Sequence, residues 1–476
     1  MFNSKNTRLG SVLAILATSL WMGLTNQLFG QQLVTPAEAK KPDLNIPVNA
    51  KAVAAKNKNV LVRTTKGDTL VAKLNCTIDD KALVTLPSGQ LSFIDRAHTR
   101  PTDKSFKPSG KAMKQLVTSS GFGKYKTASS KPYIFVYGCS KEFYQHTRSI
   151  LDTMYPGVVA NLKSWGLKVN ESKIPLLVVI MPDRKSFDRF SPTPPSVVAY
   201  YNIMTNMIVM YEDTELFQAA PEYALKQASY VIAHEGVHQL LANTSIQRRL
   251  ARWPIWMSEG LPEYFCPLKV SSRIVQKGLA RMPVRSIKWT KAGMVNDLRM
   301  FELLQVPPGA PGETIRAITQ TDQLDSRGYS LSWGLVHYFA KKQPAKFKAY
   351  LQALSKRTAL QHTPSNASAD GLFEKHFGSD YAAIEKAVQE HLTSSEMEKE
   401  YIDPFANQTH YVIKRIAKKG RAFSISLMTT TSPDAAKKWR AEQEKQFKRA
   451  QFYSFICKNE KEALYQIQKL QKVGRR

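Results

Sequence analysis

Two histidines four residues apart, with a glutamate beside the first, stand at His234-Glu235-Gly236-Val237-His238. On a helix, positions i and i+4 share a face, so both imidazoles can reach one ion. Glu235 lies about 100° round that helix from His234. It can therefore bond a water at the ion without ligating the ion itself. Imidazole and carboxylate ligands suit zinc, and three protein ligands with one water are its catalytic arrangement. Two imidazoles from one helix leave such an ion underligated, so a third protein ligand must come from elsewhere.

The chain offers one soon after. Glu259 follows His238 after 20 intervening residues, within Trp256-Met257-Ser258-Glu259-Gly260-Leu261-Pro262-Glu263-Tyr264-Phe265. Glu259 is expected to supply the third ligand from the start of a second helix, with Ser258 as its N-cap. Glu263 lies one turn on and can accept a hydrogen bond from a ligand imidazole. Such a carboxylate fixes the ring tautomer and raises ligand basicity. The competing readings are a surface or core helix with two satisfied histidines and, for Glu263, a solvated helix carboxylate.

HEGVHQ followed by W-x-x-E-G-L-x-E-Y-F resembles the gluzincin metallopeptidases, closest to the exported bacterial families of the peptidase-MA-like group. The resemblance covers roughly residues 130–395. It implies a thermolysin-like catalytic domain with one zinc per chain held by His234, His238 and Glu259. It also implies Glu235 as general base and proton shuttle in peptide-bond hydrolysis. Related enzymes place a tyrosine from a later helix near the oxyanion; Tyr329, in Tyr329-Ser330-Leu331-Ser332-Trp333, is similar in context. An edge strand before the active-site helix receives substrate in such enzymes, and here that strand would be Met207–Tyr211. Pro262 departs from the pattern, since small helix formers are usual there. It argues that the second helix starts close to Glu259, where a first-turn proline is tolerated.

The elements that must position these residues can be read coarsely. Strand YIFVYG (133–138) leads into helices at about Lys141–Leu151 and Val158–Trp165. Strand IPLLVVIM (174–181) and a hairpin of Val197–Tyr201 with Met207–Tyr211 follow. From Pro221 the pattern is almost wholly helical, and Tyr223, Ala224, Ala228, Val231, Ile232 and Leu241 fit one buried helix. The fold class is thus α+β, a mixed-sheet lobe and then a helical lobe. Upstream, VLVRTT, TLVAKLNCTI, ALVTLP and LSFIDR between turn-forming residues predict a small β unit at 59–100, of the SH3-like barrel type. Residues 40–58 and 101–129 read as linkers. Residues 396–476 predict a further α+β unit with two strands, a helix, a strand and a helix.

Composition bounds the rest. The chain has 476 residues, 43% hydrophobic and 22% charged, which excludes wholesale disorder and rod-like folds. Its formal net charge is +30, which bears on partners rather than fold. Residues 411–476 hold 17 Lys and Arg against 5 Asp and Glu, so this end is the most basic. Lys5 and Arg8, the apolar run Ser11–Leu24 and Ala37-Glu38-Ala39 lay out a signal peptide over 1–39. An uncleaved anchor is the alternative, because the gap before the cleavage signal is long. The expected location is exported: periplasm, envelope or outside the cell. Export argues against nucleic acid as a partner and leaves protein or peptide substrate, with anionic envelope polymer for the basic unit. No later run is long enough to span a membrane. Cys76, Cys139, Cys266 and Cys457 form no C-x-x-C pair and allow zero, one or two disulfides. Two functions from different classes remain: a secreted zinc metallopeptidase, or a non-catalytic envelope-binding scaffold on a peptidase-like fold.

Overall fold

The computed structural model describes residues 52–472 except 56–57, 64–68, 195, 215–220, 278–279, 305–309, 361–370, 405–408 and 420–421. The expected signal peptide lies outside the described residues. Among the described residues no helix is long and apolar enough to cross a membrane. The four cysteines are free thiols.

The amino-terminal unit is one antiparallel sheet. Strands β1 (Ala52–Ala54), β2 (Asn59–Arg63), β3 (Thr69–Ile78), β4 (Lys81–Thr85), β5 (Leu91–Asp95) and β6 (Thr99–Thr102) run β5-β4-β3-β2-β6, with β1 also on β3. Alternation makes the core: Val60 and Val62 point in from β2. Residues 52–54, expected in a linker, are therefore a strand, in register with Ile78 to Cys76.

The second expected linker, 101–129, is also structured. Helix α1 (Gly110–Val117) is capped by Ser109, whose hydroxyl accepts from the Ala112 amide. Its Met113, Leu116 and Val117 are buried. Few apolar residues stand among the lysines and serines there, but they fall at helical spacing, and burial of that stripe decides. Lys126–Ser130 is strand β7 of the central sheet.

That sheet runs β10-β11-β9-β8-β7. Its other strands are β8 (Tyr133–Tyr137), β9 (Leu176–Met181), β10 (Ala199–Asn202) and β11 (Met207–Tyr211). β8, β9 and β11 are mutually parallel, and β7 and β10 pair antiparallel at the two edges. Every residue of β9 is buried, as a strand covered on both faces requires. Val136, Val179 and Val209 face α1 and helix α3 (Arg184–Phe190). Phe135, Val178 and Ile208 face helix α2 (Lys141–Ser164) and helix α4 (Pro221–Asn243).

Two expectations are corrected here. The segments 141–151 and 158–165 are one helix through Pro156. Ile150, Leu151 and Met154 before the proline and Val158, Val159 and Leu162 after it are all buried. Packing of one continuous stripe outweighs the local cost of the proline. The expected substrate strand Met207–Tyr211 is interior to the sheet, flanked on both sides; the edge beside α4 is β10.

Beyond α4 come helix α5 (Ile255–Phe265) and a hairpin, β12 (Lys269–Lys277) with β13 (Ala280–Lys288). This hairpin interrupts the stretch expected to be all helical. Helices α6 (Asp297–Leu304), α7 (Glu313–Gln320), α8 (Ser326–Lys342), α9 (Pro344–Leu354), α10 (Leu372–Phe377), α11 (Tyr381–Leu392) and α12 (Ser395–Glu400) complete the lobe. Its core gathers Trp256, Phe339, Tyr350, Phe373 and Phe377. The carboxy-terminal unit follows: β14 (His410–Lys419), β15 (Ala422–Thr430), α13 (Pro433–Gln446), β16 (Gln451–Cys457) and α14 (Glu460–Lys472), with sheet order β15-β14-β16.

Candidate metal centre

Helix α4 crosses the sheet and presents His234 and His238 on one face. Helix α5 brings Glu259 against them. His234 Nε2 and His238 Nε2 are 3.0 Å apart, and each lies 3.2 Å from Glu259 Oε2. Among the described residues this is the one cluster of three such side chains that could hold a metal ion. A tetrahedral zinc with bonds of about 2.0–2.1 Å sets ligand atoms about 3.3 Å apart. The triangle has nearly that size.

The donor set also fits a cation. His234 Nδ1 lies 3.2 Å from Glu263 Oε1. The ring that donates from Nδ1 carries a bare lone pair on Nε2, which points at a carboxylate oxygen and another imidazole. Acceptors converging on one point need a positive charge among them. Burial opposes a charged His234, but hydrogen bonds to Cys266, Glu259 and Glu263 outweigh it and raise its basicity well above the usual. A proton there does what a cation would do. Burial likewise opposes an ionised Glu259, yet the His238 charge and the bonds from both imidazoles hold its carboxyl down at about 2.

The position of α5 departs from expectation. The helix begins at Ile255, one turn before Glu259, with Pro254 at its N-cap. Ser258 is not the cap; its hydroxyl accepts from Gln247 Nε2 at 2.9 Å. Pro262 is therefore inside the helix rather than in its first turn. The amide it lacks would have served the Ser258 carbonyl. Around it Trp256, Leu261 and Phe265 are fully buried, so packing holds the helix together. Gly260 lets α5 touch α8: a Cβ there would sit 2.6 Å from the Ser332 carbonyl oxygen.

Glu263 is buried, 4% exposed, and bound on every side. Besides His234 it accepts from Arg299 Nη2 at 2.7 Å and Asn296 Nδ2 at 2.7 Å. Burial opposes its charge, but the Arg299 guanidinium and His234 hold the carboxyl well below the usual range. Sequence reasoning missed Arg299 and Asn296, which lie more than thirty positions downstream. Asn296-Asp297 does carry the signal of a helix start, and Asn296 Oδ1 accepts from the Arg299 amide.

Glu235 sits on the neighbouring face of α4, 4% exposed. Its Oε2 accepts from the Tyr201 amide of β10 at 2.7 Å. Burial raises its carboxyl, partly offset by the two imidazoles. Because Tyr201 N–H points out of the sheet, Ala199, two residues along, faces the same open edge. An apolar pocket beside this edge is lined by Ala199, Met210, Ala228, Val231 and Ile232. The structure brings Tyr329 to the same place: its ring centroid is 6.3 Å from that of His234. Its hydroxyl is buried with no hydrogen-bond partner among the described residues.

A family model described as a protein of unknown function (DUF1570) matches residues 228–361, which include His234, Glu235, His238, Glu259 and Tyr329. No curated protein matches the chain. One similar solved structure is a mutant two-domain M1 zinc metallopeptidase bound to L-arginine, 14% identical, with a TM-score of 0.27. Another is a mutant M1 zinc metallopeptidase from Deinococcus radiodurans bound to a Tyr-Ser-Ala substrate, 13% identical, with a TM-score of 0.24. Each match covers 73% of this chain and 62% of the other. Overlays this loose carry no functional argument, so the reading rests on the site's own geometry.

Proposed function

We propose that residues 130–395 form the catalytic domain of an exported zinc metallopeptidase, a distant member of the gluzincin type. The observation that carries the reading is the triangle of His234, His238 and Glu259 ligand atoms, with Glu235 poised beside it. His234, His238 and Glu259 would hold one zinc, and Glu263 would fix the His234 tautomer. The ion, when bound, polarises the attacking water and the scissile carbonyl.

The chain's own groups do the rest. An extended peptide adds to the open edge of β10, where Ala199 offers its amide and carbonyl. An apolar side chain of that peptide enters the pocket between β10 and α4. Glu235 takes a proton from the water and delivers it to the leaving amine; burial suits it to hold that proton. Tyr329, whose phenol has no other partner among the described residues, donates to the developing oxyanion. The donor set and the buried, unpartnered phenol support this assignment.

Two measurements test it. Purified protein should carry about one zinc per chain, and Glu235→Gln should keep the metal and fold while losing about 10²–10⁴-fold in hydrolysis. Residual activity within threefold of wild type would remove Glu235 as the base. Protein that takes up no zinc would instead favour the non-catalytic scaffold.

A further inference from the structure

Arg299 has no role in the reaction just described, yet it is 7% exposed and fully engaged. Its Nη2 donates to Glu263 Oε1 at 2.7 Å and its Nη1 to Glu302 Oε2 at 3.3 Å. Glu263 Oε1 is the same atom that faces His234 Nδ1. Glu302 in turn accepts from Ser326 and Ser330 on α8, the helix that carries Tyr329. The guanidinium carbon also lies 5.2 Å from the centroid of the Tyr329 ring. One side chain on α6 thus touches the supports of the metal imidazole and of the phenol together.

The chemistry favours arginine in this place. A buried carboxylate that only faced a neutral imidazole would lack a counter-charge. A guanidinium is planar and presents a fork, so it can hold two carboxylates at once and still lie over an aromatic face. An ammonium is a point charge and cannot do all three. We propose that Arg299 is a positioning residue of the metal centre. It fixes Glu263 against His234 and, through Glu302 and the Tyr329 ring, sets the phenol relative to that imidazole. The proposal rests on the metallopeptidase reading.

Its test is zinc affinity of the full chain by chelator competition, with the melting temperature of the metal-free protein measured alongside. Arg299→Met alone leaves the buried Glu263 and the part-buried Glu302 without their cation and is expected to misfold. The informative variants are Arg299→Lys and the double change Arg299→Met with Glu263→Gln, which removes the fully buried pair together and leaves only the part-buried Glu302 without its cation. Both should bind zinc at least tenfold more weakly, within the 10–100-fold range for such supports. Arg299→Lys should be the less affected, as a partial rescue. Metal-free stability should stay near wild type. Zinc binding within tenfold of wild type in both variants overturns the proposal. So does a loss of affinity matched by an equal loss of metal-free stability, because that marks a structural role. Wild type that binds no zinc fails at the earlier step and takes the metallopeptidase reading down with the proposal.

Discussion

Two glutamates one turn apart on α5 are given different tasks by their neighbours. Glu259 Oε2 faces two imidazole nitrogens, whereas Glu263 is saturated by His234, Arg299 and Asn296. Glu259→Ala should therefore abolish tight zinc binding with the fold intact. Glu263→Ala should weaken it about 10–100-fold, and it also leaves Arg299 with an unpaired contact. Chelator competition on both variants checks this order. If Glu263→Ala releases zinc and Glu259→Ala does not, the ligand has been assigned to the wrong carboxylate. Most of this site was legible because one helix face and one short loop place His234, Glu235, His238, Glu259 and Glu263 within a 30-residue stretch. Arg299 was not, because a contact between separate helices leaves no periodic trace in sequence.

At the scale of elements, α5 is fixed by its approach to α8. Gly260→Ala puts a methyl 2.6 Å from a backbone carbonyl, and main chain cannot swing aside. The expected loss is about 1–3 kcal/mol, together with weaker zinc binding, because Glu259 moves with the helix. Gly110→Ala on α1, where a Cβ meets nothing within 4 Å, should be neutral or mildly stabilising. Melting temperatures of the two variants decide. Helix α8 also meets α11 through a buried histidine pair. His337 Nδ1 is 2.9 Å from His391 Nε2, and His337 Nε2 is 3.2 Å from the Gly293 carbonyl. The His337 ring is satisfied when neutral, accepting at Nδ1 and donating from Nε2; His391 Nδ1 is buried with no partner among the described residues. Burial, with His391 and Lys341 nearby, pushes His337 down to about 3. Burial and Lys342, opposed by Glu396, push His391 down to about 4. The unfolded rings titrate near about 6.5, so below that pH the unfolded chain binds more protons. Stability is then full above about pH 6.5 and falls as pH drops toward the folded values. The melting temperature should decline from about pH 7 to pH 5, and less so in His337→Gln; equal slopes would contradict the pair's role. Strands β2 to β5 and the carboxy-terminal elements were readable from alternation and turn residues. The β12–β13 hairpin was passed over although Val270, Ile274 and Val275 are strand formers, since helical neighbours on both sides set the expectation. The continuity of α2 through Pro156 was hidden because burial on both sides of a proline is a tertiary fact.

For the whole molecule, charge is unevenly placed. The unit of β14–β16 with α13 and α14 carries a net +12 over residues 411–476. Lys437, Lys438, Arg440, Lys445, Lys448 and Arg449 are exposed on and just after α13. We expect this unit to retain the protein on anionic envelope polymer, and salt to weaken that retention because charges are screened beyond about 8 Å at physiological ionic strength. Pull-down with and without residues 396–476 measures it; equal retention would contradict it. The opposite end of the chain is tied in differently. The Leu91 amide donates to the Met204 carbonyl at the β10–β11 turn, and Arg249 Nη1 donates to the Gly89 carbonyl at 2.8 Å. Gly89 has φ of +91°, and a Cβ there would meet Ile174 at 2.7 Å. Cys76, Leu83 and Leu91 share a core with Ala359 and Leu250. The tip beside the proposed substrate edge thus leans on the first sheet. Proteolytic removal of that sheet would take the Gly89 carbonyl from Arg249, leaving only the longer bond to Ile203, and bare an apolar seam, so it is poorly suited to be a propeptide shed on maturation. Comparative sequences offer an independent reading of the same joint: chains that lack the first sheet should not keep arginine at position 249, and chains that keep it should keep a glycine at 89.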